Sequence, residues 1–200
     1  MQTKQDQLIE FIRKNGGFAR SAELVAAGFY KVVIYSALKK GLIDRVRHGV
    51  YGLAGTPDIS HPDLVTACIV VPNGVICLIT ALSFYEVTDE IPRQIDIAVP
   101  EGSRNLKTDR LPHKLYYFSK KTWEQGVEAR DIDGQKIRIY SLAKTLADCF
   151  KFRNQIGTDI ARTALKNALE QKKVDHREIM KYATICRVTK IMKPILETLI

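Results

Sequence analysis

The chain has 200 residues and a net charge of +9, and 46% of its residues are hydrophobic while 26% are charged. This composition excludes an intrinsically disordered or fibrous chain, and the length is sufficient for one large domain or two small ones. The sequence has no run of about 18 apolar residues and no signal-peptide pattern at its start, so we expect a cytoplasmic protein without a membrane span.

Positive charge is concentrated at the N-terminal end. Residues 1–56 hold nine Lys and Arg against four Asp and Glu, which is more than half of the net charge in about a quarter of the sequence. An excess of basic side chains in one small region is typical of a surface that binds nucleic acid. We therefore expect a polyanionic partner for this end of the chain.

Three short helices and a β-hairpin are predicted in the first 55 residues. Apolar residues recur at helical spacing, and a glycine follows each helix. Ser21 is predicted to cap the second helix, in which Leu24 and Val25 face inward. The predicted elements are helices over residues 4–15, 21–28 and 30–40 and strands over 42–46 and 50–53, with Arg47-His48-Gly49 as the turn.

This order of elements predicts a winged helix-turn-helix domain over residues 1–56. In such a domain the third helix buries one side and offers the other to the major groove, while the hairpin contacts phosphates or the minor groove. The buried side of that helix is supplied by Phe29, Ile34, Ala37 and Leu38. The candidate DNA-binding residues that remain are Tyr30, Lys31, Tyr35, Ser36 and Lys39 on the helix and Arg45, Arg47 and His48 on the hairpin.

Two prolines, Pro57 and Pro62, mark the boundary to a larger domain over residues 57–200. Strand patterns precede a long helical part that begins at Ser141, and Asp133-Gly134 is the strongest hairpin signal in the chain. This second domain is therefore predicted to be mixed α+β, ending in a helical bundle. Its predicted helices are 62–71, 80–87, 142–153, 158–171, one from 175 and one from about 187 to 200, and its predicted strands are 75–78, 94–99, 114–118, 127–132 and 136–140.

The sequence contains no convincing catalytic motif. Gly102-Ser103 is similar to the glycine-serine pair of nucleotidyltransferases, but the two carboxylates that such a site needs on the next strand are missing. Asp131 and Asp133 border the predicted turn, where acidic residues commonly occur. Phosphate-binding loops, GxSxG and HExxH do not occur in the sequence either. We therefore expect no enzymatic activity.

The four cysteines predict neither a metal site nor disulfide bonds. They stand at positions 68, 77, 149 and 186 and form no CxxC pair. Isolated cysteines of a cytoplasmic protein are typically reduced and packed as small hydrophobic residues. No metal or other cofactor is expected.

Three sequence segments carry a resemblance that spans nearly the whole chain. The first runs from Glu23 to Tyr51 and ends in the Gly-Val-Tyr of the hairpin strand. The second combines Thr80-Ala-Leu-Ser-Phe-Tyr with Ile91-Pro-Arg and Ile95-Asp-Ile-Ala-Val. The third is Tyr140-Ser-Leu-Ala-Lys-Thr-Leu-Ala-Asp-Cys-Phe-Lys-Phe-Arg, followed by Ala164-Leu-Lys. Together they resemble the AbiEi-type antitoxins of bacterial type IV toxin–antitoxin systems, which serve phage defence by abortive infection.

The resemblance implies a cytoplasmic, non-enzymatic protein encoded beside a nucleotidyltransferase-like toxin. It implies that the first domain binds inverted repeats in double-stranded DNA of its own promoter and represses transcription. The second domain is expected to oppose the toxin without requiring a stable complex with it. The resemblance also implies DNA-contacting roles for the helix and hairpin residues named above. Val32 and Val33 depart from the family, because relatives often have Ser or Thr there, so we expect a base-reading set that is smaller or more apolar.

Asp148 and Arg153 are the candidate residues of the antitoxin domain. Two interpretations of them stay open: an ion pair within the domain that helps to pack the helix, or a direct role in opposing the toxin. Two other functions also stay open for the whole chain. One is a winged-helix regulator whose C-terminal domain binds a small ligand, and the other is a nucleic-acid enzyme with an unrecognised site.

Overall fold

The computed structural model describes residues 3–55, 60–103, 111–132 and 134–199. Contacts divide the chain into two units, Met1–Pro72 with Asp131–Ile137 and Asn73–Arg130 with Arg138–Ile200. The fold is mixed α+β, as the sequence predicts. The predicted domain boundary between residues 56 and 57 lies outside the described residues and stays a prediction.

The N-terminal elements follow the predicted order, with one additional strand. They are α1 (Lys4–Lys14), β1 (Phe18–Arg20), α2 (Ser21–Ala26), α3 (Lys31–Lys39), β2 (Ile43–Arg47), β3 (Val50–Leu53) and α4 (Pro62–Val70). The three strands form an antiparallel sheet in the order β1-β3-β2. The strand that the sequence did not indicate, β1, has three residues, which is too short for an alternating pattern to be recognised.

The core of the first unit is built from one side of each helix. Leu8 and Ile12 of α1 pack with Leu24 of α2 and with Ile34 and Ala37 of α3, and all five are buried. This confirms the predicted inward face of the third helix. Helix positions three and four apart lie on one side, which is why the pattern was visible in the sequence.

Two predicted details of the second helix are wrong. Val25 is 57% exposed, because the six-residue α2 buries Leu24 alone. Ser21 lies in the first turn instead of capping the helix. The Glu23 carboxylate accepts a hydrogen bond of 2.7 Å from the backbone N–H of Arg20, so the acid supplies the polar contact at this helix start.

A β-bulge in β2 determines which hairpin side chains face outward. The register with β3 shifts between Arg45 and Arg47, so Val46 is an extra residue on the strand. Ile43 and Val46 are both buried although they lie three positions apart, where strict alternation would place them on opposite faces. The bulge therefore keeps an apolar residue in the core while Arg45 remains exposed.

A five-stranded sheet and seven helices make up the described chain beyond residue 72. The strands are β4 (Val75–Ile76), β5 (Ile95–Pro100), β6 (His113–Phe118), β7 (Val127–Ile132) and β8 (Gln135–Tyr140), in the order β6-β5-β4-β8-β7. The helices are α5 (Leu78–Phe84), α6 (Lys120–Trp123), α7 (Leu142–Lys151), α8 (Arg153–Ile156), α9 (Thr158–Glu170), α10 (His176–Ile185) and α11 (Thr189–Leu199). The predicted elements are thus confirmed, while the short α6 and α8 were not predicted. Asp133 of the predicted turn lies outside the described residues.

Helix α7 is the centre of the second unit. Residues from Leu142 to Phe150 are buried on every side of the helix, because α5, α9 and α10 all pack against it. A helix surrounded in this way must bury its polar residues as well as its apolar ones. Lys144 and Asp148 are the two charged residues that α7 buries completely.

Gly126 allows the backbone to approach α7 closely. It has a φ of +70°, and a Cβ built there would lie 2.8 Å from Lys144 Cβ and 3.1 Å from Tyr182 Cε1. We expect Gly126→Ala to lower the free energy of unfolding by about 2–5 kcal/mol, because left-handed backbone costs an L residue about 1–2 kcal/mol and overpacking costs about 1–3 kcal/mol. Urea unfolding followed by circular dichroism measures this change.

Gly134→Ala is the matched control. Gly134 has a φ of +83° but no atom within 4 Å of its built Cβ. Only the backbone cost of about 1–2 kcal/mol is expected there. Equal losses for the two variants would show that the contact with Lys144 and Tyr182 does not matter.

Candidate nucleic-acid interface

One face of α3 carries most of the predicted helix contacts. An α-helix turns about 100° per residue, so Lys31, Val32, Tyr35 and Lys39 fall within an arc of roughly 100°. All four are exposed, and Tyr35 is exposed by 65%. Tyr30, at the N-cap, is 79% exposed. The structure therefore places three of the five helix residues that the sequence singled out on one face of the helix. We call Lys31, Val32, Tyr35 and Lys39 the α3 face.

Ser36 lies at the edge of the α3 face and contacts α1. Its hydroxyl oxygen accepts a hydrogen bond of 2.7 Å from Gln5 Nε2, and Lys40 Nζ donates to Gln5 Oε1 at 2.8 Å. The side chain of Ser36 is only partly exposed. Its role in DNA contact stays a prediction.

The α3 face has a positive electrostatic character. No Asp or Glu occurs between Phe29 and Ile43 in the sequence. Helix α3 has no acidic residue in its first turn, and the side chain of its N-cap residue, Tyr30, forms no cap hydrogen bond, so neither offsets the partial positive charge of the backbone N–H groups there. Two lysines, Lys31 and Lys39, add full charges to the same side of the helix.

The hairpin places Arg45 and His48 on its exposed side. Arg45 Nη2 lies 2.7 Å from His48 Nδ1. A guanidinium group only donates, so His48 Nδ1 is the acceptor in this contact. Arg47 is the last residue of β2 and pairs with Val50 in the ladder.

The second unit contains a buried ion pair that includes one of the predicted antitoxin residues. Asp148 Oδ2 accepts a hydrogen bond from Lys144 Nζ, one helical turn away, and Asp148 Oδ1 accepts one from Cys186 Sγ at 3.2 Å. Lys144 Nζ also lies 4.1 Å from the centre of the Tyr140 ring and 4.9 Å from that of Phe118. Burial raises the pKa of Asp148, and the charge of Lys144 acts in the opposite direction.

The predicted ion pair between Asp148 and Arg153 is wrong. Arg153 Nη1 instead donates to the backbone oxygen of Phe150 at 3.0 Å, while Asp148 is bonded to Lys144 and Cys186. Five residues on a helix is a poor spacing for an ion pair, whereas four is a good one. The Lys-x-x-x-Asp spacing in the same motif was therefore the signal that could have identified Lys144. A direct role of Asp148 or Arg153 in opposing a toxin stays a prediction.

A second buried carboxyl group supports the start of α5. Asp96 on β5 is 4% exposed, and its carboxylate accepts hydrogen bonds from the backbone N–H groups of Ile79 and Thr80 and from the Tyr116 hydroxyl. In return, the backbone N–H of Asp96 donates to the Thr80 hydroxyl at 2.9 Å. Asp96 thus satisfies helix N-terminal donors from a neighbouring strand, which no local sequence pattern predicts.

Burial raises the pKa of Asp96 to about 6, from an ordinary value of 3.8. The folded chain therefore keeps a proton that the unfolded chain releases near pH 4. The contribution of Asp96 to the free energy of unfolding is expected to fall as pH rises from about 4 to about 6, by roughly 3 kcal/mol in total. An Asp96→Asn variant keeps an acceptor oxygen but does not titrate.

Urea unfolding of Asp96→Asn and the unchanged chain at several pH values tests this expectation. The stability of the variant relative to the unchanged chain should increase between pH 4 and pH 7 and stay level above that range. A difference that does not vary with pH would show that the carboxyl group does not retain the extra proton on folding.

Three of the four cysteines are packed in the interior, as the sequence predicts. Those at positions 77, 149 and 186 are buried, and Cys68 is partly buried. Within residues 3–55, 60–103, 111–132 and 134–199, no group of three or more His, Cys, Asp or Glu is placed to hold a metal ion. No helix in the same part of the chain is long and apolar enough to cross a membrane.

Comparison with known proteins identifies the segment that contains the α3 face. No curated protein matches the chain. A family described as transcriptional regulator, AbiEi antitoxin, matches residues 6–54, which extend from α1 through β3. The predicted resemblance to AbiEi-type antitoxins is therefore confirmed, on the match of residues 6–54 to this regulator family.

Proposed function

We propose that this protein is a DNA-binding repressor of its own promoter and the antitoxin of a type IV toxin–antitoxin system. The first 56 residues act as a winged helix-turn-helix that binds inverted repeats in double-stranded DNA. Residues 57–200 oppose a nucleotidyltransferase-like toxin without enzymatic activity of their own and without a requirement for a stable complex. The protein acts in the cytoplasm.

The exposed α3 face is the observation that supports the proposed DNA binding. A recognition helix needs a buried side and a solvent side that offers cationic, aromatic and small groups to the major groove. Helix α3 buries Ile34 and Ala37 and exposes Lys31, Tyr35 and Lys39. Its N-terminal residues are the ones expected to meet base edges.

The hairpin of β2 and β3 supports the same proposal. It follows α3 directly, as a wing follows a recognition helix, and its bulge keeps Arg45 exposed. Cationic groups at this position suit phosphates, which fix the orientation of a protein on DNA. Arg47 and His48 complete the proposed wing.

The antitoxin part is supported by the family match and by the resemblance of the later segments. The matched family is described as an antitoxin and a transcriptional regulator at once. The motif around Asp148 lies on α7, at the centre of a unit with its own core. A separate core is what an independent second function requires.

Salt-dependent binding tests the proposed DNA contacts. Duplexes are selected from a random pool with the full-length chain, and affinity for a selected and a random duplex is measured against salt concentration. Arg45→Ala is expected to reduce the slope of log affinity against log salt by about 0.9 on both duplexes, because one phosphate contact is lost.

Lys31→Ala and Tyr35→Ala are expected to reduce the binding free energy by about 1–3 kcal/mol on the selected duplex and by much less on the random one.

Lys166→Ala is the control, because this exposed lysine lies on α9 of the second unit. Lys166→Ala should leave the slope of log affinity against log salt unchanged on both the selected and the random duplex. Affinity that does not respond to salt would contradict the proposal. Equal losses on both duplexes for Lys31→Ala and Tyr35→Ala would contradict the role of α3 in reading bases.

One observation favours the alternative of a ligand-controlled regulator. A groove of about 450 Å³ lies between α9 and α11, lined by Arg162, Lys166, Pro194 and Ile195 among others. Such a combination of cationic and apolar groups suits a small carboxylate with an apolar tail. Release of the chain from DNA by decanoate, lost in an Arg162→Ala variant, would favour this alternative.

A further inference from the structure

We propose that the α3 face selects thymine through apolar contact of Val32 and the Tyr35 ring with thymine 5-methyl groups. The inference rests on the proposed DNA-binding function and adds the chemical group that is recognised. It assigns Val32 as a specificity-determining residue, although a valine forms no hydrogen bond with a base.

The exposure of apolar side chains on α3 is the first observation. Seven large hydrophobic residues are exposed in the described part of the chain, and Tyr30, Val32 and Tyr35 are three of them. The cluster thus falls within six consecutive positions. Val32 is 78% exposed, whereas the adjacent Val33 packs against the core. Of the two valines, only Val32 is therefore free to meet a partner.

The position of Val32 on the helix is the second observation. Tyr30 is the N-cap of α3, so Val32 is the second helical residue. Residues at the N-terminal end of a recognition helix are those that reach base edges in the major groove. Tyr35 lies about one turn further along on the same side, so the two side chains address neighbouring base pairs.

The chemistry of the α3 face selects the base. The segment from Tyr30 to Lys40 contains no Arg, Asn or Gln, so its lysines are its only candidates for guanine and it has no amide side chain to pair with adenine. The thymine methyl is the apolar group that the major groove presents, and apolar side chains contact it. Placing Val32 against any polar base edge would remove water from that edge without replacing its hydrogen bonds.

The surrounding charge favours DNA over a protein as the occupant. Lys31 and Lys39 flank the apolar residues within the same arc, and no acidic residue occurs between Phe29 and Ile43. Apolar residues framed by cations and by a helix N-terminus fit a groove lined with phosphates. A protein partner is the alternative occupant, and the experiment below identifies that case.

Replacing thymine with uracil tests the inference, because uracil lacks only the 5-methyl group and keeps every hydrogen bond of the base. Duplexes selected from a random pool by the full-length chain are resynthesised with uracil at each thymine position in turn. For the unchanged chain we expect a loss of affinity of about fourfold at each contacted position, the value of one buried methyl group. The salt dependence of binding should not change, because the phosphates are untouched.

Two variants assign the effect to residues. Val32→Ala is expected to lose the response to uracil at one or two positions, and Tyr35→Ala at a neighbouring position. Val25→Ala, which alters another exposed valine on α2, should keep the full response. Both valines are exposed, so neither change is expected to affect folding, and circular dichroism checks this.

The outcomes separate the inference from the function on which it rests. Selected duplexes that bind equally with thymine and with uracil would overturn the inference while leaving the proposed function intact. The same conclusion follows if Val32→Ala responds to uracil like the unchanged chain. If the full-length chain enriches no duplex from the pool, the proposed DNA-binding function itself fails, and a protein becomes the favoured occupant of the α3 face.

Discussion

Replacing Lys144 with alanine is expected to lower the free energy of unfolding by about 3–5 kcal/mol. Lys144 and Asp148 are both fully buried, and the charge of Asp148 has Lys144 as its cationic partner. Removing the lysine leaves a carboxylate in a low-dielectric core, with Cys186 Sγ as its remaining donor. Protonation of Asp148 relieves part of this cost, so the loss should be larger at pH 8 than at pH 5.

Urea unfolding followed by the fluorescence of Trp123, the single tryptophan of the chain, measures this loss. The matched control is Lys166→Ala, which removes an ion pair with Glu170 at the same four-residue spacing. That pair is exposed, so its loss should cost less than about 1 kcal/mol. A double replacement, Lys144→Met with Asp148→Leu, should recover most of the stability, because no charge then stays buried alone.

A cost for Lys144→Ala as small as that for Lys166→Ala would contradict the expectation. It would mean that Asp148 is protonated in the folded chain or that water reaches it. Failure of the double replacement to recover stability would assign the loss to the contacts of the lysine ammonium with the rings of Tyr140 and Phe118.

Most of the helices and strands could be predicted because they follow a local pattern. The apolar positions of α1 and α3 recur with the helical period, and glycines follow these helices, so their existence was visible in the sequence. The strand β1 was not visible, because three residues have no pattern and the pairing with β3 alone makes them a strand. Val25 was misplaced because a helix of six residues has only one buried position.

The exposed side of α3 could be predicted by removing the buried positions of that helix, and the structure places Lys31, Tyr35 and Lys39 on it. The buried polar groups could not be predicted in this way. Asp96 supports α5 from a strand 16 residues away from Thr80, so the contact depends on tertiary structure. Lys144 was missed for a different reason, since its spacing from Asp148 was present in the sequence but its burial was not.

The hairpin arginines are expected to be needed for repression but not for protection against the toxin. Arg45→Ala combined with Arg47→Ala is expected to relieve repression while protection against the toxin is retained. Both arginines belong to β2 in the first unit, whereas the core around α7 belongs to the second. Losing two phosphate contacts should weaken DNA binding about 10- to 100-fold at physiological salt, if each contact contributes about 1 kcal/mol.

Leu146→Asp is expected to have the opposite effect. Leu146 has no exposed surface on α7, so a carboxylate there would be buried without a partner and would disrupt the second unit. Protection against the toxin should be lost. Specific DNA binding should survive, since none of the residues of the α3 face belongs to that unit.

A paired assay in cells tests the separation of the two functions most directly. It measures reporter output from the promoter of this protein's gene and growth during expression of the toxin that we propose is encoded beside it, in strains with matched levels of soluble protein. The wing variant should give high reporter output with normal growth, and Leu146→Asp should give low output with arrested growth. A wing variant that loses protection as completely as it loses repression would contradict the account, because opposition to the toxin would then depend on DNA binding.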